Sequence, residues 1–167
     1  MTERDPIRRA ALLATPPLLL MTTAAAFRGF QRQFGDRLGY LAGFLVYWIG
    51  WCMLLPLWVL GPRGLRELFR PARHSRKDVA LLSAPPALGM VAAFPSAARE
   101  ATPAVIAGSV AIAVVNGTLE EVLWRGTYQA VFPDAPVTGL YPAVGFAVWH
   151  YAPQTIHPTH PHSNPTS

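Results

Sequence analysis

Apolar residues in this chain come in long blocks rather than in alternation, and the blocks set its elements. Crossing the hydrocarbon core of a bilayer takes about 20 apolar residues in a helix. Ala10 to Phe27 is the first candidate, with Pro16-Pro17 interrupting its middle. Gly39 to Leu60 is the strongest. It is uncharged and rich in Trp, Tyr and Leu, and Trp48, Trp51 and Trp58 suit lipid or an interface. Pro56 near its end predicts a kink. Val79 to Phe94 is a third block, short and broken by Pro85-Pro86, which either spans with a kink or re-enters. Pro95 to Pro103 is a short polar turn, where Thr102 suits an N-cap and Pro103 a first helical position. The helix that follows runs from Ala104 to about Phe132, where Pro133 and Pro136 end it. Gly139 to Tyr151 is the fifth block.

The polar stretches complete the layout. Arg4, Arg8 and Arg9, an apolar core and then Ala24-Ala25-Ala26 follow the order of a secretory signal, so a cleaved leader is the alternative to a first span. Gly61 to Asp78 is a basic connector holding Arg63, Arg66, Arg70, Arg73, Arg76 and Lys77. Leu65, Leu68, Phe69 and Ala72 fall there at i, i+3, i+4, i+7, which fits a helix lying on the membrane surface; a solvated loop is the alternative. Pro71 limits that helix. Ala152 to Ser167 is rich in Pro, His, Thr and Ser and is expected to be disordered. The expected fold is therefore all-α: a polytopic helical membrane protein with four to five transmembrane helices in residues 1–151 and a loose tail in 152–167. If all the blocks span, the basic connector and amino terminus share one side, which the positive-inside rule places in the cytoplasm. Arg28, Arg32 and Arg37 lie on the other side and argue against that placement.

Composition agrees with the block pattern. In 167 residues the charged fraction is 14% and the hydrophobic fraction 51%, where soluble domains carry about 25% charge. A net charge of +5 would admit nucleic acid. The basic residues, however, flank apolar blocks, which is how membrane proteins anchor. The expected partner is the lipid bilayer, and nucleic acid is not expected. Cys52 is the one cysteine, so it has no internal disulfide partner; between Trp51 and Met53 it reads as a small buried hydrophobe.

Chemistry concentrates at the ends of the last two blocks. Glu120, Glu121 and Arg125 close the fourth, and His150 closes the fifth. Ionisable groups in a span cost up to about 3 kcal/mol each at the membrane centre, so a chain rarely keeps them without a use. Glu121 and Arg125 are four apart and share a helix face, which suits an ion pair. Glu120 points about 100° away and faces something else. A carboxylate shielded from water is a better general base. Phe146 and His150 are also four apart, so the Phe146 ring can wall the site that His150 enters. A glutamate and a histidine converging from two helices can activate water directly or through a bound metal. The bland readings are a snorkelling Glu–Arg pair and an interfacial histidine.

Glu120-Glu121-Val-Leu-Trp-Arg125-Gly126, followed by Phe146-Ala-Val-Trp-His150, resembles the CPBP family of intramembrane proteases, the CAAX-protease and bacteriocin-processing proteins. The family pattern is Glu-Glu-x-x-x-Arg, then Phe-x-x-x-His, then His-x-x-x-Asn or Asp. The resemblance covers about residues 104–151. It implies that Glu120 activates the hydrolytic water, that Glu121 and Arg125 support it, and that His150 is a second catalytic or metal-coordinating group with Phe146 beside it. It also implies a peptide or protein substrate, a bacterial plasma-membrane location, and either a divalent metal such as zinc on Glu120 and His150 or a metal-free mechanism.

The third motif departs from the family. His160-Pro-His-Ser-Asn164 fits it literally, yet it sits close to His150, contains Pro161 and lies in surroundings that cannot make a membrane helix. His157, His160 and His162 also read as a small metal-binding tract. The two functional expectations are a CPBP-type endopeptidase and a non-catalytic or truncated membrane protein on the same scaffold, acting in immunity or partner binding.

Overall fold

The computed structural model describes residues 4–70, 76–77, 80, 88, 101–133 and 138–156, and among them it is helical with no strand. The protein is all-α and membrane-type. Among the described residues three helices, Pro6–Phe34, Asp36–Leu68 and Pro103–Val131, are long and apolar enough to cross a bilayer.

Helix α1 covers Arg4–Val46 and is broken at Gly35, whose φ of 75° and ψ of 175° belong to a region that only glycine occupies readily. The break divides the first long helix from the second. The second continues through a wide, π-helical stretch, Tyr47–Leu54, into α2, Leu55–Leu68. Gly61, with φ of 71°, breaks α2 before Pro62 restarts the helix, so its last turns carry the start of the basic connector. Helix α3 is Pro103–Glu121. Its entry is capped as expected, with the Val105 amide donating to Thr102 Oγ1 at 3.4 Å. A second π-helical stretch, Val122–Thr127, leads into the short α4, Tyr128–Val131. Helix α5 is Leu140–Ile156.

Two compact units divide the chain: Met1–Leu68 with Thr118–Ser167, and Phe69–Gly117. The described part of the second is chiefly the helical stretch from Pro103 onward. The first holds an aromatic core in which Tyr47, Trp124, Tyr128 and Trp149 are almost fully buried with Leu12, Leu19 and Leu123.

Pro16 and Pro17 interrupt the first apolar block in sequence but not in structure. Each proline lacks the amide that would bond the carbonyl four residues back, so Leu12 and Leu13 lose their helical partners. Both carbonyls are satisfied from other helices. The Tyr128 hydroxyl donates to the Leu12 carbonyl at 2.6 Å, and the Tyr141 hydroxyl donates to the Leu13 carbonyl. Neighbouring helices make prolines tolerable in spanning helices in this way. Buried Thr15 and Thr23 satisfy their hydroxyls on their own helix, at the carbonyls of Ala11 (2.8 Å) and Leu19 (2.6 Å). Cys52 is free and buried, as its apolar neighbours predict.

Helix α5 continues past Tyr151 to Ile156, so residues 152–156, expected to begin a loose tail, are helical. Pro153 fixes φ near its helical value and removes a single amide, which weakens the last turn without stopping it. The Val79–Phe94 block lies outside the described residues except at 80 and 88, as do Ala72 and residues 157–167 with the histidine-rich tract.

Candidate functional site

Glu120 is the next-to-last residue of α3, where the helix passes into the π-helical stretch Val122–Thr127. Wide turns of this kind recur at functional sites, because one extra residue per turn re-aims the side chains around it. Glu120 is only 8% exposed. A carboxylate placed there needs polar partners. Among the described residues, His150 and Tyr47 supply such contacts.

The first is His150 of α5. Its Nε2 lies 3.9 Å from Glu120 Oε1. Its Nδ1 lies 2.9 Å from the Phe146 carbonyl. A backbone carbonyl only accepts, so Nδ1 carries the hydrogen of that bond. In the neutral ring Nε2 then has its lone pair toward Glu120. The separation exceeds a direct hydrogen bond, and a water molecule is small enough to touch both acceptors. Phe146 holds the imidazole twice: by its carbonyl, and by an edge-to-face ring contact at 4.2 Å between centroids. Trp149 also meets the imidazole, at 4.9 Å and 90°. The ring is thus fixed in direction while its side chain remains 40% exposed.

The second partner is Tyr47, at the start of the first π-helical stretch. Its hydroxyl lies 3.3 Å from Glu120 Oε1, and the Trp124 indole N–H donates to that hydroxyl at 3.0 Å. Sequence reasoning missed Tyr47. The available signal was a hydroxyl in the middle of the strongest apolar block, since a buried tyrosine needs a hydrogen-bond partner there.

The Glu121–Arg125 pair forms as the spacing predicts, with Arg125 Nη1 3.0 Å from Glu121 Oε2. Its side chains are 57% and 70% exposed, so the pair does not share the buried setting of Glu120. Five sequence-predicted residues thus resolve into two groups. Glu120, Phe146 and His150 come together, while Glu121 and Arg125 pair with each other on the exposed side of the helix. Gly126, within the same motif, has Leu68 against it: a Cβ there would stand 2.9 Å from Leu68 Cδ1.

Among the described residues no three of His, Cys, Asp and Glu come close enough to hold one ion. Glu120 and His150 supply two donors, where a catalytic zinc takes three from protein. The described donor set does not fit a zinc site. What it does fit is water held between a carboxylate and an imidazole lone pair.

No family model matches the chain, and neither does any curated protein or solved structure.

Proposed function

We propose that this protein is an intramembrane endopeptidase of the CPBP type, hydrolysing a peptide or protein substrate at the bacterial plasma membrane. The observation that carries the reading is the convergence of Glu120 and His150 from two helices, 3.9 Å apart at a buried carboxylate. A water between them donates one hydrogen toward Glu120 Oε1 and the other toward His150 Nε2, which leaves its oxygen lone pairs directed outward. As that oxygen attacks the scissile carbonyl carbon, Glu120 takes a proton and the carbonyl oxygen becomes an oxyanion. When the C–N bond breaks, the proton passes from Glu120 to the leaving nitrogen, and the carboxylate is restored. His150 holds the water on its trajectory, with its own Nδ1–H tied to the Phe146 carbonyl. Positioning of this kind, rather than a strong base alone, supplies much of the rate of such a step.

The test is proteolysis by the full-length protein in detergent micelles, offered a library of peptides with apolar flanks. Cleavage by the wild type that disappears in both Glu120→Gln and His150→Ala supports the reading. Equal cleavage by all three proteins, or by none, replaces it with a non-catalytic membrane protein on the same scaffold.

A further inference from the structure

We infer that Tyr47 is a positioning residue for Glu120: its phenol holds the carboxylate so that Oε1 faces His150. The kinetic consequence of this inference rests on the endopeptidase reading; the contact itself does not.

The phenol has a single hydrogen, and its neighbours decide where that hydrogen goes. Trp124 Nε1–H can only donate, so its 3.0 Å bond uses a lone pair of the Tyr47 oxygen. The phenol hydrogen is left for an acceptor. Among the described residues the acceptors in reach are Glu120 Oε1 at 3.3 Å and the Cys52 thiol. A thiol sulfur is a weak acceptor and a carboxylate a strong one. The hydrogen therefore goes to Glu120, and the order is indole to phenol to carboxylate.

The phenol is itself immobilised. The Tyr47 ring stacks on Trp149 at 3.9 Å between centroids and 19° between planes. The Trp149 indole N–H donates to Thr23 Oγ1 at 3.2 Å, which ties the stack to α1. Trp149 immediately precedes His150. One turn of α5 thus clamps the donor and presents the imidazole to the same carboxylate oxygen. A glutamate side chain has three rotatable bonds, and a rigid donor at Oε1 removes most of that freedom.

Tyr47 is fully buried, at 0% exposure. It cannot touch a substrate, so it acts through Glu120 and not on the reacting atoms.

The experiment uses the full-length protein in detergent with carbon-13 in the glutamate side-chain carboxyls. The infrared band of Glu120 is identified by its loss in Glu120→Gln. Tyr47→Phe keeps the stacked ring and removes only the hydroxyl, and it is expected to shift the Glu120 band. It is also expected to lower kcat about 10–100-fold with KM changed less than about twofold, as loss of a supporting hydrogen bond does. Trp124→Phe frees the phenol and is expected to act in the same direction with smaller amplitude, which covers the case in which Tyr47→Phe does not fold. An unmoved Glu120 band in either folded variant overturns the inference. So does a shifted band with unchanged kcat, or a loss carried by KM alone. A wild type without Glu120-dependent cleavage overturns the endopeptidase reading only, and the infrared band then decides the Tyr47 contact by itself.

Discussion

The Tyr128 hydroxyl lies 2.6 Å from the Leu12 carbonyl, the group that Pro16 leaves without its helical amide. The bond crosses 116 residues of sequence and joins two helices where one of them lacks a backbone amide. Its value depends on the proline. Tyr128→Phe is expected to destabilise the protein by about 1–3 kcal/mol, since it leaves a buried carbonyl unsatisfied. In a Pro16→Ala background the amide of residue 16 returns to that carbonyl, and the same change is expected to cost less. Chemical unfolding of the four proteins in detergent measures the coupling, expected at about 0.5–3 kcal/mol. Equal costs in the two backgrounds would show that the hydroxyl does not serve the carbonyl.

Glu120 and His150 act on one water in the proposed reaction, so their losses should not add. Each of Glu120→Gln and His150→Ala is expected to reduce kcat by about 100-fold or more, and the double variant to be little worse than either. Steady-state kinetics on a peptide cleaved by the wild type settles it. Multiplicative losses would mean that the two side chains serve separate steps.

Gly145 sets how closely α5 lies against its neighbours. A Cβ there would stand 2.9 Å from Pro16 Cβ and 2.9 Å from Trp124 Cζ3. The proline ring is rigid and the indole is pinned by its bond to Tyr47, so neither gives way cheaply. Gly145→Ala is expected to cost about 1–3 kcal/mol through overpacking. Because His150 lies five residues further along the same helix, activity should fall as well. A thermal unfolding midpoint equal to that of the wild type would contradict this close approach.

Two glycines of α1 should respond in opposite directions. Gly35 occupies the left-handed half of backbone space, so Gly35→Ala is expected to destabilise by about 1–3 kcal/mol. Gly29 is helical, with nothing within 4 Å of an added Cβ. Gly29→Ala is expected to be neutral or to stabilise by up to about 1 kcal/mol. Unfolding midpoints of the two variants provide the comparison; like responses would place the helix break elsewhere.

Some of this architecture could be read directly from residues, and the readable parts share a cause. Block length and hydropathy follow from the thickness of a bilayer, so the long helices around Gly39–Leu60 and Ala104–Phe132 were legible in the sequence. Thr102-Pro103 announced a helix start, and the Val105 amide does bond to Thr102 Oγ1. The prolines misled, because Pro16-Pro17 speaks only for the local cost of a missing amide. The relief comes from Tyr128 and Tyr141, which lie 116 and 128 residues away from the carbonyls they serve. Tyr47 stayed hidden for the same reason. Its block showed that it was buried, but not which carboxylate it would meet.

Residues alone determined what one helix determines: its length, its apolar character and the i, i+4 pairings Glu121–Arg125 and Phe146–His150, since residues four apart are neighbours on a helix surface. The tertiary structure decided which groups from different helices share a hydrogen bond. Glu120 meets Tyr47 and His150 across separate helices, with Trp149 stacked on the Tyr47 ring. Those are properties of packed surfaces, and an uninterrupted run of apolar residues contains no period that encodes them.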